Sequence, residues 1–261
     1  AGYNGAVYNR YSQGVFPRHM LGTSHYFKGK KLEASFNYSF TRNKTVTNFT
    51  DITNFMEDGQ ITDIWTSDLE VIYRSKKHNT SVFLDYALDD KNTLSFSSIA
   101  TITPSYKTRD FSNTLIVEPD GTYSSGFTTL NDAQFESVNA AYYLDYEHKF
   151  NEEGSSLAVN SHYTHYDYDK NQDLETDFYD HNRAMVGENN FNTFNEQHTD
   201  LFSVQADFTS PLGERSNFES GIKFALIDSE SFITQEGFDR EQEGIAPTED
   251  GLFLYDEGIF A

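Results

Sequence analysis

Alternation of apolar and polar side chains is the strongest signal in this sequence, and it is clearest between Lys31 and Asn43. Successive side chains of an extended strand point to opposite faces. One face of this strand carries Leu32, Ala34, Phe36, Tyr38 and Phe40, and the other carries Lys31, Glu33, Ser35, Asn37, Ser39 and Thr41. Such a strand fits a half-buried soluble sheet as well as a membrane barrel. The fold class therefore depends on how often the pattern recurs.

Similar patterns recur along the whole chain and predict ten antiparallel strands. The first has a weak alternation, and the last begins near Leu252 and is incomplete at Ala261. The predicted strands cover residues 2–11, 19–27, 31–43, 65–88, 93–106, 135–150, 157–169, 202–209, 218–226 and 252–261. Five of them exceed the roughly 9 to 11 residues that a tilted strand needs to cross a membrane, and the other five have 8 to 10 residues.

The connections between these strands alternate in length. The short ones are 28–30, 89–92, 151–155 and 211–216, and the long polar ones are 43–64, 107–134, 170–197 and 230–251. Outer-membrane barrels alternate short periplasmic turns with long external loops. A hairpin at Lys76–Asn79 would break that alternation, so we predict one strand from Trp65 to Leu88. Within the first long connection, Glu57, Asp58 and Gly59 predict a turn.

The polar faces of the strands favour a water-filled lumen over a packed core. Glu33, Asp145, Glu147, Asp207 and Glu219 all fall on these faces, and charged residues are rarely buried in the core of a sandwich. Tyr and Phe also cluster near strand ends, as in the aromatic girdles of outer-membrane barrels. Together these features predict an all-β, antiparallel up-and-down transmembrane β-barrel with long external loops, forming a single β-barrel region over residues 1–261.

Composition narrows the classes of function. The chain has 23 Phe, 17 Tyr and one Trp, which fits strands better than helices. No run approaches the roughly 20 apolar residues of a transmembrane helix. With no cysteine, disulfides and thiolate metal sites are excluded. The formal charge of −22 argues against a nucleic-acid partner, because phosphates would be repelled.

Candidate chemistry is sparse. His162, His165, Asp167 and Asp169 form the most suggestive cluster, although His162 must point away from the other three on a strand. No spacing ties a nucleophile to a base. The sequence therefore predicts no catalytic, cofactor-binding or metal-binding residue, and a protein that is not an enzyme. An acidic run in the following loop lacks the spacing of a calcium-binding EF-hand; it consists of Asp173, Glu175, Asp177 and Asp180.

Three segments resemble the barrel of TonB-dependent outer-membrane receptors, specifically the Bacteroidetes branch. They are the opening GYNGAVYNRYSQGVFPRH with KLEASFNYSFTRNKT, the segment HNTSVFLDYALDDKNTLSFS, and the late LYDEGIFA. The resemblance implies uptake of a nutrient, such as a metal chelate, a glycan or a peptide, that binds to the external loops. It also implies a location in the outer membrane of a Gram-negative cell.

Family members carry a plug domain and a TonB box ahead of a larger barrel, and neither is present in residues 1–261. We therefore expect a processed or excised chain that forms about the first half of such a barrel. The implied partners are outer-membrane lipid, the plug and the remainder of the barrel, the TonB system through that plug, and a surface lipoprotein.

Two alternatives remain open at the level of sequence. One is a complete ten-stranded outer-membrane enzyme similar to the omptin proteases, with His165, Asp167 and Asp169 at its external rim. The other is a soluble β-rich binding protein.

Overall fold

The computed structural model describes residues 1–151, 153–213, 216–237 and 251–260, and the described chain is almost entirely strand. Within this part no helix is long and apolar enough to cross a membrane. The strands are β1 (Gly2–Gln13), β2 (Pro17–Lys28), β3 (Leu32–Glu57), β4 (Gln60–Ala87), β5 (Asn92–Val117), β6 (Tyr123–Lys149), β7 (Ser156–Tyr179), β8 (Met185–Pro211), β9 (Asn217–Glu236) and β10 (Gly251–Phe260).

The ten strands form one sheet in which spatial order follows chain order from β1 to β10. Every neighbouring pair is antiparallel. The predicted up-and-down topology is confirmed. Among the described residues β1 and β10 each pair with one neighbour, so their outer edges have no strand partner there.

The segment that sequence left ambiguous between one strand and a hairpin is a single strand. Lys76–Asn79 lies inside β4, where Lys76 pairs with Arg42 and Asn79 with Ser39. The prediction of one strand over Trp65–Leu88 is confirmed, and β4 begins five residues earlier, at Gln60.

Long polar loops were predicted at 43–64, 107–134 and 170–197, and the structure corrects this: each of these segments is an extended β-hairpin. β3 pairs with β4 from Leu32 to Glu57, and β5 with β6 and β7 with β8 continue in the same way to their tips. Both faces of these extensions carry polar residues, so the apolar alternation that marks a strand fades there. Residues 238–250 of the fourth predicted loop lie outside the described residues.

Short turns close the hairpins. Asp58 and Gly59 have φ of 50° and 78°, the left-handed pair that a two-residue turn requires between twisted strands. The predicted turn at Glu57–Gly59 is therefore confirmed. The β5–β6 turn uses Gly121 with φ of 87°, and the β7–β8 turn uses Arg183 with φ of 63°.

Strand register divides the sheet into two faces, which we call the outer and inner faces. We call the half of each strand next to the short connections its lower half, and the half within an extended hairpin its upper half. In the lower halves the outer face carries the apolar residues, such as Phe36 opposite Val82 and Leu84 opposite Phe96. The inner face carries their polar neighbours. Shielded side chains occur on both faces: inner-face Thr103, Thr114, Thr176, Ser39 and Ala225 are 4%, 2%, 8%, 8% and 8% exposed, and outer-face Ala140 is 6% exposed.

A bulge in β5 changes which of its residues face outward. Thr103 pairs with Ser137 and Tyr106 with Phe135, so β5 has two residues between these pairs where β6 has one. β5 has the same surplus relative to β4. Pro104 is one of the two residues at this bulge, and it has no N–H to donate to a neighbouring strand. Beyond the bulge, odd-numbered residues of β5 lie on the outer face.

Candidate functional site

Two histidines and two aspartates form a closed ring on the outer face of β7 and β8. His165 is paired with Asp200, and Asp167 with His198. His165 lies 2.9 Å from Asp200 through Nδ1 and 2.7 Å from Asp167 through Nε2. His198 lies 2.6 Å from Asp167 through Nδ1 and 3.0 Å from Asp200 through Nε2. The Tyr163 hydroxyl also donates to Asp200, at 2.7 Å.

This His–Asp ring is self-sufficient in charge and hydrogen bonds. Ionised carboxylates only accept, so four bonds form when both imidazoles donate from both nitrogens and are positively charged. Two imidazolium and two carboxylate groups are then neutral together. A base needs a nitrogen free to take a proton, and His165 has none in this arrangement.

The ring also contains the best metal-ligand set of the described residues. Donor atoms of His165, His198 and Asp200 lie within 4.8 Å of one another, and histidine with carboxylate is a common ligand set for zinc. Hydrogen bonds already occupy these atoms, so an ion would have to displace protons from both imidazoles.

The structure brings together two of the predicted cluster residues and separates the others. His165 and Asp167 are in the ring, whereas His162 lies on the inner face, with its imidazole stacked on Tyr143 at 4.5 Å. Asp169 shares the outer face, as expected, but pairs with Glu196. His198 and Asp200 were not predicted from the sequence, because only strand register makes them neighbours of Asp167 and His165.

The acidic run is dispersed along β7 and its turn. Asp173 accepts a hydrogen bond from the Asn192 side chain at 2.6 Å. Asp180 caps the β7–β8 turn and accepts from the backbone N–H of Ala184 at 2.9 Å and of Asn182 at 2.8 Å. These backbone donors hold the pKa of Asp180 below its usual range.

Aromatic side chains line the inner face of the extended hairpins in two rows, which are the second candidate site. In the first, the tip row, Phe55 lies 4.8 Å from Trp65, Trp65 5.6 Å from Phe127, and Phe127 6.1 Å from Phe178. The row crosses β3, β4, β6 and β7, so its members come from distant parts of the sequence.

The second row, the lower row, lies closer to the membrane end of the same face. Tyr73 and Tyr106 stack at 6.1 Å, Tyr106 and Phe135 at 4.3 Å, and Phe135 lies 5.5 Å from Tyr168. Tyr106 reaches this row because of the β5 bulge. We call the tip row and the lower row together the aromatic wall.

Polar atoms without a partner lie between and beside these rows. The described residues include three buried side-chain oxygens with no hydrogen-bond partner: Oδ1 of Asp110, Asn131 and Asn195. All three residues are on the inner face. Asn131 donates to the other oxygen of Asp110 at 3.2 Å, and burial raises the pKa of Asp110. Buried acceptors normally have a donor, so such groups need an explanation.

Part of the chain is similar to a known protein family. Residues 148–261 match a family described as the outer membrane protein beta-barrel family. This segment contains all of β7 to β10. No curated protein matches the chain. The match agrees with the ten-stranded up-and-down sheet, and the two together identify the fold as a transmembrane β-barrel and its location as the outer membrane.

Proposed function

We propose that the chain forms part of the barrel of a TonB-dependent outer-membrane receptor that takes up a nutrient. The inner face of its extended hairpins binds that nutrient. The observation that carries this proposal is the pair of aromatic rows, because aromatic faces exposed inside a barrel mouth provide flat apolar surfaces for a ligand. Energy would come from the TonB system through a plug domain, and a surface lipoprotein would cover the mouth.

The unpartnered oxygens of Asp110 and Asn131 support the same role. They lie between the tip row and the lower row, where they would accept hydrogen bonds from hydroxyl or amide donors of a ligand. A few fixed polar groups among apolar surfaces are typical of ligand sites. A glycan, a peptide or an organic metal chelate has such donors beside apolar parts.

The proposal includes no catalytic role. The strongest candidate base, His165, has both nitrogens hydrogen-bonded to carboxylates. No Ser lies within the ring to serve as a nucleophile, and the ring faces away from the lumen.

Uptake by intact cells tests the proposal. Three strains of the native host would be compared: the parent, a strain lacking this gene, and a strain lacking TonB. Each would receive a labelled ferric hydroxamate chelate, an oligosaccharide or a tetrapeptide. We expect uptake of one class to fall in both deletion strains. Uptake that depends on the gene but not on TonB would instead identify a passive channel.

A matched pair of variants tests whether the aromatic wall binds the nutrient. Trp65→Ala removes the centre of the tip row, whereas Phe111→Ala removes an exposed aromatic residue from the outer face of the neighbouring β5–β6 hairpin. Loss of a buried aromatic anchor commonly costs more than about 1 kcal/mol of binding. We expect Trp65→Ala to raise the half-saturation concentration for uptake about fivefold or more, with Phe111→Ala near the parent value. Equal effects of the two variants would contradict the assignment of the wall.

A further inference from the structure

Basic side chains gather at one place on the outer face of β3, β4 and β5, and we call this set the cationic belt. It contains six of the chain's 19 Lys and Arg residues, although the protein has a net charge of −22. Five of the six are exposed, and Lys44 is half-buried. Its members are Arg42, Lys44, Arg74, Lys76, Lys107 and Arg109.

Strand register places like charges directly opposite one another within the belt. Arg42 pairs with Lys76, Lys44 with Arg74, and Arg74 with Lys107. Directly opposite side chains have Cβ atoms about 4.5 to 5.5 Å apart, and like charges in such positions are destabilising. The same sheet places opposite charges together elsewhere, so the belt is a local departure.

Few of these charges are neutralised by the protein itself. Arg109 has a carboxylate nearby, that of Asp132 at 3.7 Å. The Lys44 ammonium lies 3.4 Å from the centre of the Phe16 ring. In residues 1–151, 153–213, 216–237 and 251–260, no carboxylate lies within 4.0 Å of Arg42, Arg74, Lys76 or Lys107. A compensating anion therefore has to come from outside the described chain.

The belt lies immediately beyond the apolar part of the outer face. On β3 the outward series Phe36, Tyr38 and Phe40 is followed by Arg42 and Lys44. On β5 the series ends at Ile102, and the bulge then brings Lys107 and Arg109 to the outer face. A basic cluster next to a membrane-facing surface is at the depth of lipid headgroups, where each Lys or Arg adds to the attraction for an anionic lipid.

We infer that the cationic belt binds phosphate-bearing headgroups of anionic lipids in the outer leaflet. Arg42 with Lys76, and Lys44 with Arg74 and Lys107, grip phosphate oxygens that neutralise the opposed positive charges. The guanidinium groups of Arg42 and Arg74 offer paired donors to these oxygens. Lipid is the occupant because the belt continues the lipid-facing surface and faces away from the lumen.

Lipid titration tests this inference on the full gene product, purified in a neutral detergent. The probe is fluorescent phosphatidic acid, with phosphatidylcholine bearing the same label as the zwitterionic reference, and binding is followed by anisotropy. The test variant combines Arg74→Gln, Lys44→Gln and Lys107→Gln. We expect its affinity for phosphatidic acid to fall about tenfold or more, with little change for phosphatidylcholine.

The matched control combines Arg10→Gln, Arg18→Gln and Lys223→Gln, which changes net charge equally but acts on the inner face. It should bind as the parent does, and an equal loss in it would overturn the inference. A second variant, Lys44→Arg with Lys107→Arg, should retain binding. Its loss of binding while folded, judged by heat-modifiable migration, would also overturn the inference.

Free phosphate and salt separate the lipid from other anions. Raising the ionic strength should weaken binding of phosphatidic acid to the parent, because exposed charges are screened. Inorganic phosphate at millimolar concentration should not displace the lipid. Full displacement would show that the belt binds soluble anions and would overturn the assignment to a lipid.

Discussion

The cationic belt and the His–Asp ring lie on the same face of the sheet, each just beyond the apolar residues of its strands, and they treat charge in opposite ways. In the ring, register pairs His165 with Asp200 and Asp167 with His198. In the belt, register pairs Lys44 with Arg74 and Arg74 with Lys107. The ring supplies its own counter-charges, whereas the belt lacks them.

This difference separates two roles for charge on a membrane-facing sheet. A neutral hydrogen-bonded ring ties two strands together and needs nothing from outside. Like charges that strand pairing holds opposite one another repel, and this repulsion lowers the free energy of unfolding. An external anion that binds between them removes the repulsion and so stabilises the folded protein. A group of charges without counter-charges in the protein therefore indicates an interaction site, whereas charges that are already paired indicate a structural role.

The largest expected effect tests the assignment of faces on which the comparison rests. Phe36→Arg on the outer face of β3 should impair membrane insertion by about 2 to 4 kcal/mol, because charge on the lipid face near the midplane is costly. Asn37→Arg on the inner face is the control and should be tolerated. Folded fractions after refolding into vesicles measure both, and equal tolerance would refute the assignment.

The next effect concerns the ring. His198→Ala leaves Asp167 and Asp200 without one of their two cationic partners and should lower the free energy of unfolding by about 1 kcal/mol. The expected loss is no larger because His198 and both aspartates are partly exposed. Denaturant unfolding in detergent measures the change. His181→Ala in the exposed β7–β8 turn should stay within about 0.5 kcal/mol of the parent. A neutral result for His198→Ala would mean that the ring is not structural.

A smaller effect of opposite sign is expected in the belt. Arg74→Gln removes the charge that faces both Lys44 and Lys107, so in a zwitterionic detergent it should raise the free energy of unfolding by roughly 0.2 to 1 kcal/mol. The same denaturant titration measures it, with Lys223→Gln as the control. Adding phosphatidic acid should remove this advantage. Destabilisation by Arg74→Gln in the absence of anionic lipid would contradict the description of the belt as unsatisfied.

The smallest expected effect concerns the carboxyl of Asp110 on the inner face. Burial raises the pKa of Asp110, so its contribution to stability is fully present below the carboxyl's ordinary pKa and is lost as pH rises through the raised folded value. We expect Asp110→Asn to flatten the pH dependence of stability in mildly acidic solution. Unchanged pH dependence would mean that Asp110 is fully hydrated in the folded protein.

Much of the strand pattern could be predicted from the sequence, but only half of the His–Asp ring, His165 and Asp167, could be. The lower halves of the strands were evident because a strand that faces lipid on one side and water on the other must alternate. The extended hairpins were mistaken for loops because both of their faces meet water. His198 and Asp200 were missed because they lie more than 30 residues from Asp167 and His165 in sequence and become neighbours only through register.

The sequence by itself determined the class of the fold and the division of each lower strand into an apolar and a polar face, since period-two alternation is a local property of the chain. The tertiary structure decided which charges meet. The one-residue surplus around Pro104 reverses the facing of upper β5, and so moves Lys107 and Arg109 to the outer face and Tyr106 to the inner face. Counting alternate residues from Leu94 gives the opposite assignment, because a bulge is visible only when both neighbouring strands are in place.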